Sequence, residues 1–151
     1  MNKNTSFIPD ILKNSILSGP DNRSTFVLKE KNAKYIANNK NHKTAISIQI
    51  DGSLMKSTDS KKCDKGLCTE DKRIFLIELK GVDFNTACEQ LLVTYTTLSP
   101  LIPDFKYKCR AVVREMPAKN NYPYSYRLLL SKLPKEKDSF KSASGVLEEN
   151  I

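Results

Sequence analysis

Hydrophobic positions along the 151 residues change period repeatedly, and each change marks a predicted element. Ile8, Ile11, Leu12 and Ile16 recur at helical spacing, and Pro9 suits a first helical turn. Gly19-Pro20-Asp21-Asn22 ends that helix. Thr25 to Leu28 suits a short strand, and the polar stretch Asn32 to Lys43 a loop. Ala45 to Gly52 alternates, with Ile46, Ile48 and Ile50 on one face, and reads as the first core strand. Met55 to Ser60 reads as a long turn, Lys61 to Thr69 as the second core strand, and Glu70-Asp71-Lys72 as a polar turn. Arg73 opens a third strand, whose apolar run Ile74 to Ile77 predicts burial on both faces.

Asp83 is a good N-cap for a helix running to about Leu98, which Pro100 and Pro103 terminate. Its apolar face carries Phe84, Ala87, Cys88, Leu91, Leu92 and Tyr95, and Gln90 lies off that stripe. Phe105 to Glu115 reads as a further strand, with Tyr107, Cys109, Ala111 and Val113 on one face. Tyr126 to Leu133 suits a strand or a short helix, and the charged tail from Lys135 a frayed end or a late edge strand. The order helix, three strands, helix, strand predicts one α/β domain, residues 1–151, built on a mixed sheet with its core in residues 45–115. No repeat or linker divides it.

The third strand ends in a carboxylate and an ammonium, Glu78 and Lys80. Burying such charges without partners costs on the order of several kcal/mol. With a three-residue turn, Thr69 opposes Arg73 and Asp64 falls opposite Glu78. Directly opposed Cβ atoms lie about 4.5–5.5 Å apart. Alternation puts Lys80 on the same face, whereas a two-residue turn would send Asp64 to the other. Two adjacent carboxylates are unfavourable unless a cation sits between them, and oxygen ligands suit Mg or Mn. This patch predicts metal-assisted phosphodiester hydrolysis, with Lys80 orienting the attacking water or stabilising charge on the phosphate. The plainer alternative for Glu78 and Lys80 is a solvated ion pair at the sheet rim.

Cys63-Asp64, then Ile77-Glu78-Leu79-Lys80-Gly81, then a helix carrying Glu89-Gln90, resembles the PD-(D/E)XK nuclease superfamily. The nearest members are the small Holliday-junction-resolvase-like and restriction-endonuclease-like ones. The resemblance covers residues 45–115, about half the chain. It implies a restriction-endonuclease-like fold and a Mg-dependent (or Mn-dependent) deoxyribonuclease. It further implies that Asp64 and Glu78 bind the metal, that the Leu79 carbonyl is an added ligand in some members, that Lys80 is catalytic and that Gln90 supports the site. Cys63 stands where a proline is usual, and Tyr95 follows Gln90 one place later than in one branch of the superfamily.

A formal net charge of +8 and a pI near 9.3 indicate a polyanionic partner. Lys106, Lys108, Arg110, Arg114, Lys119 and Arg127, interleaved with Tyr107, Tyr122, Tyr124 and Tyr126, are the predicted DNA contacts, within residues 105–135. The alternative is a basic soluble face with tyrosines half in the core. Cys63, Cys68, Cys88 and Cys109 lack the paired spacing of a zinc site and read as buried thiols. His42 reads as a loop residue, and Asp51, before Gly52, as part of a turn rather than a further metal ligand.

The N-terminus leads into no signal-like apolar stretch and no segment suits a membrane span, which predicts a cytoplasmic location and no membrane partner. Cutting both strands would call for a homodimer, and specificity for a protein partner. The competing functional readings are a non-cleaving nucleic-acid-binding module and a partner-binding subunit of the same fold.

Overall fold

The structure, a computed structural model, describes residues 5–55, 62–79 and 83–151. A 3-10 helix, Asp10–Ser15, leads into strands β1 (Ile16–Asp21), β2 (Thr25–Glu30), β3 (Ala33–Asn38), β4 (Ala45–Gln49), β5 (Lys65–Thr69) and β6 (Arg73–Glu78). Helix α1 (Phe84–Leu98), strand β7 (Lys106–Val113), helix α2 (Tyr124–Lys132) and strands β8 (Phe140–Ser144) and β9 (Val146–Asn150) follow. Six strands form one mixed sheet in the order β1-β4-β5-β6-β7-β8, and β2-β3-β9 form a second. The steps from β1 to β6 are antiparallel, and those from β6 to β8 are parallel.

The large sheet is covered on both faces. Ile46, Ile48, Ile74, Leu76, Cys109, Ala111 and Val113 pack with Phe84, Ala87, Leu91 and Leu98 of α1 and Leu129 of α2. The alternate residues Leu67, Phe75, Ile77 and Val112 pack with Phe26, Tyr35 and Leu147 of the small sheet. Ile74 to Ile77 are therefore apolar throughout because β6 has no solvent face. The chain is an α/β domain with a mixed sheet, as the alternation of elements predicts. No helix among the described residues is long and apolar enough to cross a membrane.

Several local expectations are corrected. The expected helix at Ile8 to Ile16 is only the short 3-10 segment, and Gly19 and Pro20 lie inside edge strand β1. Gly19 is needed there: its φ is +89°, and an added Cβ would sit 2.5 Å from the Ala45 carbonyl oxygen. The expected loop at Asn32 to Lys43 contains β3, the middle strand of the small sheet. Its buried positions are Ala33, Tyr35 and Ala37, a period-two pattern muted by two small residues among lysines and asparagines. The stretch expected as strand or short helix resolves as helix α2, Tyr124–Lys132, and the tail supplies β8 and β9 at sheet edges. The expected turn at Met55 to Ser60 lies outside the described residues after Met55.

Candidate metal and nucleic-acid site

The hairpin between β5 and β6 sets the site. Its turn holds Glu70, Asp71 and Lys72, and the ladder pairs Lys65 with Ile77 through Cys68 with Ile74. Continued one step, that register puts Asp64 opposite Glu78. Asp71 builds the turn by accepting from the Thr69 hydroxyl, from Nε of Arg73 at 3.0 Å and from Nζ of Lys43 at 3.1 Å. Burial opposes the Asp71 charge, but these bonds together hold its carboxyl down at about 2. Lys72 takes the left-handed position, φ +60°, that closes such a loop.

The two predicted carboxylates converge. Asp64 and Glu78 are both fully buried. The Leu79 N–H donates to Oδ2 of Asp64 at 2.7 Å and to Oε1 of Glu78 at 3.1 Å. The backbone of Asp64 is held equally firmly. Its carbonyl accepts from Ile50 N at 3.0 Å, Asp51 N at 3.2 Å and Nε2 of Gln49 at 3.3 Å. One residue earlier, Cys63 N–H donates to Oγ1 of Thr94 at 2.9 Å, and that hydroxyl donates to the Gln90 carbonyl at 2.8 Å. Helix α1 thus grips the strand entry that carries Asp64.

Of Leu79, the N–H is what the carboxylates engage. Lys80 lies outside the described residues. Gln90 sits one turn from Thr94 on α1, half-buried, with Oε1 shielded from solvent and making no hydrogen bond among the described residues. Asp51 forms the expected turn: Gly52 has φ +82°, and the Asp51 carboxylate faces Nζ of Lys62 at 3.8 Å. His42 is an exposed loop residue. All four cysteines are buried and unbridged. Burial, reinforced by the Glu78 charge, pushes the Cys63 thiol well up, and burial pushes Cys88 and Cys109 up to about 12. The side-chain donors that converge here are the oxygens of Asp64 and Glu78.

Among the described residues, no three His, Cys, Asp or Glu side chains are grouped to hold a metal. The set on offer is two carboxylates with peptide groups beside them, which suits a hard cation that keeps waters and shares phosphate oxygens. The chain matches no family model, no curated protein and no solved structure.

The expected basic surface divides. Lys108 is buried and ion-paired to Asp138 at 2.7 Å and Glu136 at 3.4 Å. Arg110 is 1% exposed, with Nε 2.6 Å from Oε2 of Glu149. Both point to the face of β7 that the small sheet and the 136–138 loop cover, so neither is presented to a phosphate. Lys106 is exposed and pairs with Glu136 at 3.4 Å. Arg114, Lys119 and Arg127 remain exposed. Arg114 follows the end of β7 and lines a cleft of about 920 Å³ beside the first turn of α1. Strands β6 and β7 are parallel, so Arg114 lies at the sheet end where β6 finishes in Glu78.

Thr94 is the site residue the sequence reading missed. Its signal was available: it falls at helical spacing with Phe84, Ala87, Leu91 and Leu98, a hydroxyl in an apolar stripe.

Proposed function

We propose that the chain is a metal-dependent endonuclease of the PD-(D/E)XK, restriction-endonuclease-like kind, hydrolysing phosphodiester bonds in DNA. The observation that carries this reading is the meeting of buried Asp64 and Glu78 at one backbone N–H. Both carboxylates are fully buried and approach each other at that N–H, where a cation between them would offset their mutual repulsion. The sequence order adds support: Asp64 enters the second of three antiparallel strands, Glu78 ends the third, and a helix leads to a parallel fourth.

Asp64 and Glu78 would hold Mg or Mn, with the Leu79 carbonyl an available third oxygen. When bound, the ion polarises phosphate oxygens and makes a water more acidic. The chain's own residues do the rest. Thr94 and the peptide donors of residues 50 and 51 fix Asp64 in place. Lys80 is assigned the orientation of the attacking water, and Gln90 a supporting contact. Arg114, Lys119 and Arg127, exposed on the described surface, are the phosphate contacts of this reading.

The test is incubation of plasmid and branched DNA with Mg, Mn or EDTA, comparing wild type with Glu78→Ala and Lys80→Ala. Metal-dependent cutting lost in both variants is the expected result. Binding without cutting in any metal would replace this reading with the non-cleaving module.

A further inference from the structure

Tyr124 is the one exposed ring among the six tyrosines and six phenylalanines, at 67% exposure. Its neighbours are committed to packing. Tyr122 and Tyr126 lie 4.8 and 5.6 Å from Phe84, centroid to centroid, and Tyr126 lies 5.3 Å from Phe140. Tyr124 opens α2 instead, directly after Pro123, which lines the cleft that holds Arg114. One turn along, the Arg127 guanidinium stands 5.8 Å from the Tyr124 ring centroid. Arg114 makes no ion pair among the described residues. Asp83, an acid in the lining, is turned toward the helix, accepting from Thr86 N at 2.7 Å, and Glu115 is the other acid there.

We propose that Tyr124, Arg127 and the Arg114 cleft seat an unpaired nucleic-acid strand, so that the substrate is one with unstacked bases, such as a fork or flap. The inference rests on the nuclease reading for its substrate and adds the strand form. A tyrosine ring stacks only on a base whose face is free, and in a duplex each face is already covered by its neighbour. Stacking of this kind tolerates any sequence, and arginine beside the ring adds cation–π attraction and a phosphate contact. The cleft has the size of a ligand pocket, too small to enclose a duplex.

The test is equilibrium binding by fluorescence anisotropy in EDTA, where no cutting occurs. The probes are labelled oligothymidylate, its duplex with oligodeoxyadenylate, and a forked duplex. Wild type should bind the single strand and the fork more tightly than the duplex. Tyr124→Ala should weaken both by about tenfold, leave duplex binding unchanged and be rescued by Tyr124→Phe. Arg114→Ala should weaken all three and lower the salt dependence by about one ion. Equal binding of the three probes by wild type, or no effect of Tyr124→Ala, would overturn the proposal. Fork binding that depends on Tyr124 without cutting in Mg would sink the nuclease reading alone. Cutting that needs Glu78 with Tyr124 irrelevant would sink only the strand proposal.

Discussion

Asp64 and Glu78 share one proton donor, the N–H of Leu79, at 2.7 and 3.1 Å. Neighbours in space but fourteen positions apart in sequence, they meet because the hairpin turn has an odd number of residues. This relationship makes a prediction that needs no catalysis. Saturating Mn should stabilise the wild type by about 2.7 kcal/mol at a hundredfold excess over Kd, or roughly 5–10 °C in Tm. Asp64→Asn and Glu78→Gln should lose that increment while remaining folded. Calorimetry with and without Mn checks it, and equal shifts in all three proteins would exclude these carboxylates as ligands.

The turn itself is open to improvement. Lys72 holds φ +60°, a conformation that a side chain with a Cβ adopts at a cost of about 1 kcal/mol. Lys72→Gly should therefore be neutral to stabilising by up to about 1 kcal/mol, with the site intact. Asp71→Ala, which removes the acceptor of three bonds, should destabilise by about 1 kcal/mol. Urea unfolding of both variants measures this.

Thr94→Val keeps the shape of the α1 side chain but leaves the N–H of Cys63 buried without its acceptor. The expected cost is about 1–3 kcal/mol, with a weakened response to Mn because Asp64 loses its anchor. Thr94→Ser should recover most of both. A full Mn response in Thr94→Val would show that the other donors to Asp64 suffice.

A second buried charge cluster ties the two sheets together. Glu149 accepts from Arg110 at 2.6 Å and from the Tyr35 hydroxyl at 2.7 Å, and faces Nζ of Lys141 at 3.2 Å. Glu149→Ala should cost about 3–5 kcal/mol, because Arg110 would be buried uncompensated. Burial by itself raises the Glu149 carboxyl, yet Arg110 and the other partners hold it below the ordinary 4.5. A lowered folded value means that the contribution is complete above about 4.5 and drains away as pH falls through the folded value. Stability measured from pH 6 to pH 3 should fall less in Glu149→Gln than in wild type.

Much of this architecture is legible in the sequence where period and burial agree. Ile46, Ile48 and Ile50 alternate because one face of β4 meets the helices, and Asp83 caps α1 as its spacing predicts. The odd turn and the opposition of Asp64 to Glu78 follow from the same two-residue period. In the small sheet β2 is legible at Thr25 to Leu28, whereas its middle strand β3 is not, because it buries alanines, which carry little hydrophobic signal. Lys108 and Arg110 misled for a related reason. Their alternation away from Tyr107 and Cys109 is plain, but nothing local says that β9, from the far end of the chain, covers that face with a carboxylate.

The central claim, that Glu78 works as a charged ligand in DNA cleavage, is tested most directly by single-turnover cleavage of a labelled forked DNA in Mg, wild type against Glu78→Gln. The amide keeps the shape of the side chain and removes its charge. Cleavage by wild type that is abolished by EDTA and falls to background in Glu78→Gln is the predicted result. Cleavage of equal rate in the two proteins would contradict the account.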